Sequence, residues 1–215
     1  MFKFLLIVFA TGLSLCHGEV DPALFVKNTK ICLRVEPYVK TRSCGGSTKM
    51  QEFCGDINQM TPDYLDDTTW TTLGCKMQWG IFSSVPNPPA WMKNISFCMS
   101  WSSKYDYNNC NRDPVNSGER CAFLNGYSYL YTDYTDRSFG TCELQWIIII
   151  PNDAPAWMKK IQLCFNWRAT GDASQCKGSA NNQCVEANKW TAPFYDGTNT
   201  KPGGCLMSWG LKLPS

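Results

Sequence analysis

Histidine is almost absent from this chain. The only one is His17, which lies in an N-terminal segment that we expect to be removed. Ser-His-Asp and Cys-His nucleophile arrangements and His-ligated metal sites all need an imidazole that titrates or coordinates near neutral pH. We therefore expect a protein that is not an enzyme and that uses no metal or other cofactor.

Three other features are missing. The shortest cysteine spacing, Cys176 to Cys184, leaves seven residues between them, which is too many for the Cys-x-x-Cys pairs of zinc sites. The formal net charge is only +2 and no basic run is longer than Lys159-Lys160, so nucleic acid is not an expected partner. Beyond the N-terminus no apolar run approaches the ~20 residues of a membrane span.

The N-terminus has the pattern of a signal peptide. Lys3 precedes an apolar run from Phe4 to Leu15, and Cys16 and Gly18 are small residues suited to a cleavage site. The pattern predicts a signal peptide over residues 1–18 and a secreted, extracellular protein. Removal of Cys16 would leave an even number of cysteines, which in a secreted chain indicates a disulfide framework.

The remaining twelve cysteines form three sets of four with one spacing. In each set eleven residues separate the first two cysteines and twenty separate the last two, while the middle gap is nine, ten or seven. The chain is thus one unit written three times, with repeat 1 at 19–87, repeat 2 at 88–153 and repeat 3 at 154–215. The sets are Cys32, Cys44, Cys54, Cys75; Cys98, Cys110, Cys121, Cys142; and Cys164, Cys176, Cys184, Cys205.

Four cysteines in one repeat allow three pairings, and the sequence alone does not choose among them. The fixed spacings of eleven and twenty residues lead us to favour first-to-second and third-to-fourth bonds. The other two pairings stay open.

The segments around the first and the fourth cysteine of each repeat read as half-buried strands. Ile31, Leu33 and Val35 share one apolar face at a period of two, and Met77 and Trp79 do so after Cys75. We expect an all-β fold in which three disulfide-rich repeats bury one continuous core and form a closed, pseudo-threefold β body. Because the mature chain would begin and end with such strands, we expect the N-terminal strand to pair with the C-terminal strand.

A polar and aromatic pattern, Asn-x5-(Tyr/Phe)-x-Asp, recurs between the third and fourth cysteines. A ring can cover the apolar face of a sugar while an amide and a carboxylate bond its hydroxyls, so the pattern predicts carbohydrate-binding sites. The alternative is that the Asp and the following Thr form a turn before the last strand. The residues concerned are Asn58, Tyr64 and Asp66; Asn125, Tyr131 and Asp133; and Asn188, Phe194 and Asp196.

Tryptophan and the glycosylation sequon need separate interpretations. Trp79, Trp146 and Trp209 alternate with polar neighbours on predicted strands, which is typical of inward-facing core residues. Asn94-Ile95-Ser96 is an N-glycosylation sequon, and we expect Asn94 to be its acceptor.

Parts of repeat 2 resemble the H-type lectin domain of discoidins and snail agglutinins. The resemblance is carried by Asn125-Gly126-Tyr127-Ser128, by Tyr134-Thr135-Asp136-Arg137 and by Leu144-Gln145-Trp146-Ile147. It implies a β-sandwich that assembles as a threefold trimer and binds N-acetylgalactosamine-like sugars between protomers. It adds Tyr134, Asp136 and Arg120 to the candidate sugar contacts, although the family's tryptophan is replaced by Tyr134 here.

These observations favour a secreted, non-enzymatic binding protein with up to three related carbohydrate sites. Its partners would be carbohydrate or glycoprotein. The main alternative is a structural, disulfide-rich component of an extracellular matrix, egg coat or adhesive secretion, which would self-associate. A toxin or protease inhibitor is a third class, but the repeats share no exposed loop with a basic anchor.

Overall fold

A computed structural model describes residues 20–40, 43–66, 74–103, 117–133, 142–171, 176–178, 182–196 and 203–213. Repeat 1 opens with a short helix, α1 (Pro22–Asn28), at a place where the sequence indicates only a turn. Pro22 lies in its first turn, and the Asp21 side chain accepts a hydrogen bond from the Ala23 N–H at 2.9 Å. An acidic N-cap followed by proline is a common way to begin a helix.

The described part of the chain is predominantly β-sheet, as the alternating apolar pattern predicts. Strands β1 to β14 are interrupted by one more α-helix, α2 (Ala90–Lys93), and by a 3-10 helix at Met158–Lys160. The strands are β1 (Thr29–Pro37), β2 (Gln51–Asp56), β3 (Tyr64–Asp66), β4 (Cys75–Ser83), β5 (Ser96–Ser103), β6 (Ser117–Phe123), β7 (Gly126–Tyr127), β8 (Tyr131–Asp133), β9 (Cys142–Ile149), β10 (Gln162–Gly171), β11 (Cys176–Gly178), β12 (Asn182–Glu186), β13 (Phe194–Asp196) and β14 (Gly203–Lys212).

The strands form three antiparallel sheets. In each sheet the strand of a first cysteine lies between the strands of the third and the fourth cysteine of its own repeat. The central strands are β1, β5 and β10, flanked by β2 and β4, by β6 and β9, and by β12 and β14. Each sheet is open, so none is closed into a barrel.

Each sheet also receives a short strand from another repeat. Strands β7 and β8 of repeat 2 pair with β4 of repeat 1, and β13 of repeat 3 pairs with β9 of repeat 2. Strand β3 of repeat 1 pairs with β14 of repeat 3. Gly80 allows β7 to lie close to β4, because a Cβ atom at this position would be only 2.6 Å from the Gly126 carbonyl oxygen.

The expected pairing of the N-terminal with the C-terminal strand is wrong. Both edges of β1 are occupied, one by β2 and the other by β4, while β14 lies between β10 and β3. Repeats 1 and 3 are still in contact, because Asn58 donates its backbone N–H to the Leu211 carbonyl at 2.7 Å and Thr61 donates to the Trp209 carbonyl at 2.6 Å. The contact is made by the segment after β2 and not by β1.

The disulfide pairing that we favoured is also wrong. Cys32 bonds Cys54 and Cys44 bonds Cys75, so the first cysteine of repeat 1 joins the third and the second joins the fourth. The reason is the register of β1 and β2, in which Cys32 lies directly opposite Cys54 with a Cα separation of 4.1 Å. The same first-to-third bond recurs as Cys98–Cys121 and Cys164–Cys184, and Cys142 and Cys205 are also disulfide-bonded.

One continuous core runs through all three repeats, as predicted. At its centre three tryptophans meet, one from the last strand of each repeat. The ring centroids of Trp79 and Trp146 are 5.2 Å apart and those of Trp146 and Trp209 are 5.3 Å apart, both in edge-to-face contact. Phe97 packs on Trp146 and Phe165 packs on Trp209, each with a distance of 5.3 Å between ring centroids. All five rings are buried.

No helix among the described residues is long and apolar enough to cross a membrane.

We predict that Trp146→Ala lowers the free energy of unfolding by about 3–5 kcal/mol, because Trp146 contacts both other tryptophans and its removal leaves a buried cavity. Guanidinium unfolding of the oxidised protein measures the change. Tyr129→Ala is the control, since that side chain is 83% exposed and its loss should change the value by about 0.5 kcal/mol or less. Equal effects of the two substitutions would contradict the central role of Trp146.

Candidate functional site

The recurring asparagine of the polar and aromatic pattern lies at a left-handed turn in every repeat. The φ angles of Asn58, Asn125 and Asn188 are 68°, 63° and 64°. Each residue follows the strand of the third cysteine. Asparagine tolerates this conformation better than most residues other than glycine, which accounts for its recurrence at this offset.

The side chain of each of these asparagines connects two repeats. The Oδ1 of Asn125 accepts a hydrogen bond from the Ser83 N–H at 2.7 Å, and the Oδ1 of Asn188 accepts one from the Ile150 N–H at 2.9 Å. Asn58 of repeat 1 accepts from the Leu213 N–H of repeat 3 at 2.9 Å. Each amide therefore holds the end of the last strand of another repeat.

A hydroxyl three residues after each asparagine makes a second inter-repeat contact. The side-chain oxygens of Thr61, Ser128 and Thr191 accept hydrogen bonds from the backbone N–H groups of the core tryptophans, at 3.0, 3.2 and 3.0 Å. The resulting pattern, Asn-x-x-(Ser/Thr), can be read from the sequence alone, because it recurs at the same offset in all three repeats.

The aromatic residues of the predicted sugar sites lie in the core. Tyr64, Tyr131 and Phe194 are fully buried on the three strands that one repeat contributes to another. A buried ring has no free face to cover a sugar, so the structure gives these rings a packing role. Carbohydrate binding by the recurring pattern stays a prediction.

The carboxylates of the pattern are only partly described. Asp66 is fully buried on β3. Asp133 pairs with Cys75 and Asp196 with Cys142 through their backbones, which are all that the structure describes of these two residues.

The residues added by the lectin resemblance are not brought together. Tyr134 and Asp136 lie outside the described residues. Arg120 is half-buried on β6, with its guanidinium carbon 5.4 Å from the centroid of the Trp101 ring. Asn94, the predicted glycosylation acceptor, is exposed at the end of α2.

A pocket of about 290 Å³ lies where repeat 2 meets the first repeat. It is formed by the end of α1, the beginning of β1, the end of β4 and Asn125. Most of its lining residues have polar or charged side chains, and one is aromatic. The lining residues are Lys27, Asn28, Thr29, Lys30, Asp56, Phe82, Ser83, Ser84 and Asn125.

Several polar groups of this pocket already have partners. Thr29 Oγ1 donates to Ser83 Oγ at 2.9 Å, and Ser84 Oγ donates to Asn28 Oδ1 at 3.3 Å. The Asn125 Oδ1 is held by the Ser83 N–H. These contacts fix the walls of the pocket, and among the described residues the Asn125 Nδ2 group has no hydrogen-bond acceptor.

A charged cluster lies beside the pocket on the outer face of the first sheet. The Arg34 guanidinium lies 4.0 Å from the Tyr127 ring centroid and 3.1 Å from Glu52 Oε1, and the Tyr127 hydroxyl donates to the same carboxylate. That hydrogen bond from Tyr127, more than the nearby Arg34 and Lys30 charges, lowers the pKa of Glu52. Burial first, and then the Glu52 contact, raise the pKa of Tyr127 to about 12.

Two known proteins are similar to this chain, and both carry the name perivitellin-2 67 kDa subunit. One is from Pomacea maculata and the other from Pomacea canaliculata, and each is 29% identical over 191 residues. The match covers 88% of this chain and 31% of each relative, so the chain spans about a third of the length of these relatives. No family model and no solved structure matches it.

The asparagine contacts can be tested at Asn188, where the amide makes two hydrogen bonds to the backbone of Ile150. We predict that Asn188→Gly lowers the free energy of unfolding by about 1–3 kcal/mol through loss of both bonds. Asn188→Ala should cost about 1 kcal/mol more, because alanine resists the positive φ. Guanidinium unfolding measures both.

The neighbouring Lys189→Ala serves as the control, since it breaks only an exposed ion pair with Glu186 and should have little effect. An alanine variant more stable than the glycine variant would contradict the backbone argument.

The charged cluster predicts a defined pH response. Since the folded-state pKa of Glu52 lies below its ordinary value of 4.5, its contribution to stability is present above that value and is lost as the pH falls through the lowered pKa. Tyr127→Phe removes the hydrogen bond that lowers the pKa of Glu52 most, so it should raise that pKa toward 4.5. An NMR titration of the Glu52 carboxyl carbon measures this, with Tyr129→Phe as the control. An unchanged Glu52 pKa in Tyr127→Phe would show that Tyr127 is not the cause.

Proposed function

We propose that this chain is a secreted, disulfide-stabilised structural protein of an egg fluid or egg coat, and that it acts through persistence and assembly without catalysis. The observation that carries the proposal is that the recurring residues make structural contacts within the molecule. In every repeat the asparagine and the hydroxyl bond another repeat, and the aromatic ring packs in the core. The residues that recur in all three repeats therefore stabilise the contacts between repeats and the core.

We also infer a pseudo-threefold arrangement of the repeats. Its support is the order of the contributed strands: repeat 2 adds to repeat 1, repeat 3 to repeat 2 and repeat 1 to repeat 3. The three asparagine contacts follow the same order. A cyclic arrangement places every repeat between two others and leaves no terminal repeat without a neighbour.

The disulfides suit a protein that must persist outside cells. The bonds from first to third cysteine close loops with sequence separations of 22, 23 and 20. In the chain-entropy model a loop of this size contributes roughly 3 kcal/mol, and such bonds persist in oxidising, extracellular environments.

The similar proteins support an egg source. The name perivitellin refers to the perivitelline fluid of an egg, and the word subunit says that the relative assembles with another chain. This chain matches only part of that relative, so a role in an egg secretion is our proposal for it. Exposed apolar side chains, among them Phe123 and Tyr129, offer contacts for self-association.

Carbohydrate binding is the second candidate function. The three-site version depends on the recurring pattern, whose rings are buried. The pocket at the junction of repeats 1 and 2 is the observation that favours binding, because it combines an aromatic wall with amide, hydroxyl and charged groups.

The structural proposal predicts resistance to proteolysis that depends on the disulfides. We expect the oxidised protein to survive trypsin under conditions that digest the reduced protein completely. Removing Cys164–Cys184 by the double substitution C164A/C184A should shorten the half-life at least tenfold. The measurement is intact mass against time, and sedimentation with and without sugars tests for self-association.

Rapid cleavage of the oxidised protein would overturn the structural proposal. A monomer at all concentrations that is also retained on immobilised sugar would favour the second candidate.

A further inference from the structure

The pocket at the junction of repeats 1 and 2 has a polar pair of residues at two positions where the other repeats have aliphatic residues. Its inner wall is the hydrogen-bonded pair Thr29 and Ser83, which face each other across β1 and β4. The strand registers of repeats 2 and 3 place Ile95 near Ile150 and Ile161 near Leu213 at the corresponding points. Because two aliphatic side chains exclude water and a Thr-Ser pair does not, this pair gives the junction of repeats 1 and 2 a polar inner wall that the other two junctions lack at the same two positions.

The ionisable groups that line the pocket have an excess of one positive charge. Lys27 and Lys30 contribute two positive charges and Asp56 contributes one negative charge. Lys30 and Asp56 are partners in the β1 and β2 register, so their charges lie side by side. Lys27 lies in the last turn of α1 and has no ion pair among the described residues. Its ammonium group is therefore available to bind an anion.

The remaining groups suit a hydroxylated ring. Phe82 is half-buried and supplies apolar carbon, with its own ring supported by Tyr127 at a centroid distance of 4.8 Å. Asn125 offers its Nδ2 hydrogens, whereas at Asn188 the same hydrogens are used by the Ile150 carbonyl at 3.1 Å. A volume of about 290 Å³ lies at the lower end of the range for small-ligand sites, which suits one ring.

We propose that this pocket is a single binding site for a monoanionic sugar residue, with a carboxylate or sulfate directed to Lys27 and the sugar ring against Phe82. The inference rests on carbohydrate binding as the second candidate function and limits it to one site. A ligand that fits this pocket has one negative charge, one apolar ring face, and hydroxyls that form hydrogen bonds with Asn125, Ser83 and Ser84.

The test is an NMR titration of the oxidised protein with four sugars. N-acetylneuraminic acid methyl glycoside carries a carboxylate, galactose 6-sulfate carries a sulfate, and galactose and N-acetylgalactosamine are neutral. We expect saturable shifts with one or both anionic sugars and binding at least tenfold weaker with the neutral ones. Binding of one anionic sugar only would identify which anion the pocket prefers.

Two variants and one matched control complete the experiment. Lys27→Ala should weaken the anionic sugar about tenfold, or about 1.4 kcal/mol, whereas Lys93→Ala, the corresponding lysine of repeat 2, should leave it unchanged. The double variant T29I/S83I gives this junction the aliphatic residues of the others and should abolish binding without unfolding the protein.

Several results would overturn the proposal. They are equal binding of neutral and anionic sugars, equal effects of Lys27→Ala and Lys93→Ala, and no saturable shift at ~20 mM of either anionic sugar, a concentration that would reveal even millimolar affinity. None of them alters the protease resistance that tests the structural role, so the two proposals can fail separately.

Discussion

The contact among Trp79, Trp146 and Trp209 is the interaction on which the rest of the structure depends. Each tryptophan comes from the last strand of a different repeat, so the rings meet only when all three repeats are in place. Three large aromatic side chains bury far more apolar surface together than any one repeat could bury alone. The three repeats therefore share one core, and we expect them to unfold as a single unit.

The hydrogen bonds around this centre fix its geometry. Thr61, Ser128 and Thr191 accept from the backbone N–H groups of the same three tryptophans. Packing of apolar rings is nondirectional, whereas a hydrogen bond to a buried backbone N–H allows one register only. Because the hydroxyl of each repeat is buried and each asparagine side chain holds the end of another repeat's last strand, both residues recur together with the cysteines.

The sequence predicted those parts of the fold that depend on local patterns. The strands around Cys32 and Cys75 and the burial of Trp146 follow from alternation at a period of two, and the structure has all of them. The predicted disulfide pairing and the predicted pairing of the N-terminal with the C-terminal strand were wrong, because both depend on which strands become neighbours. The positive φ of Asn58 and its hydrogen bond to repeat 3 could not be predicted, since side-chain chemistry alone reveals neither a backbone angle nor an inter-repeat partner.

The proposed site depends on a difference in sequence between the repeats. Thr29 and Ser83 stand where the other two repeats have aliphatic residues, and both line the pocket. Because Lys27 belongs to repeat 1 and Asn125 to repeat 2, a ligand held by both bridges the junction, and its binding free energy adds to the stability of the folded state by mass action. Binding and structural persistence would thus reinforce each other.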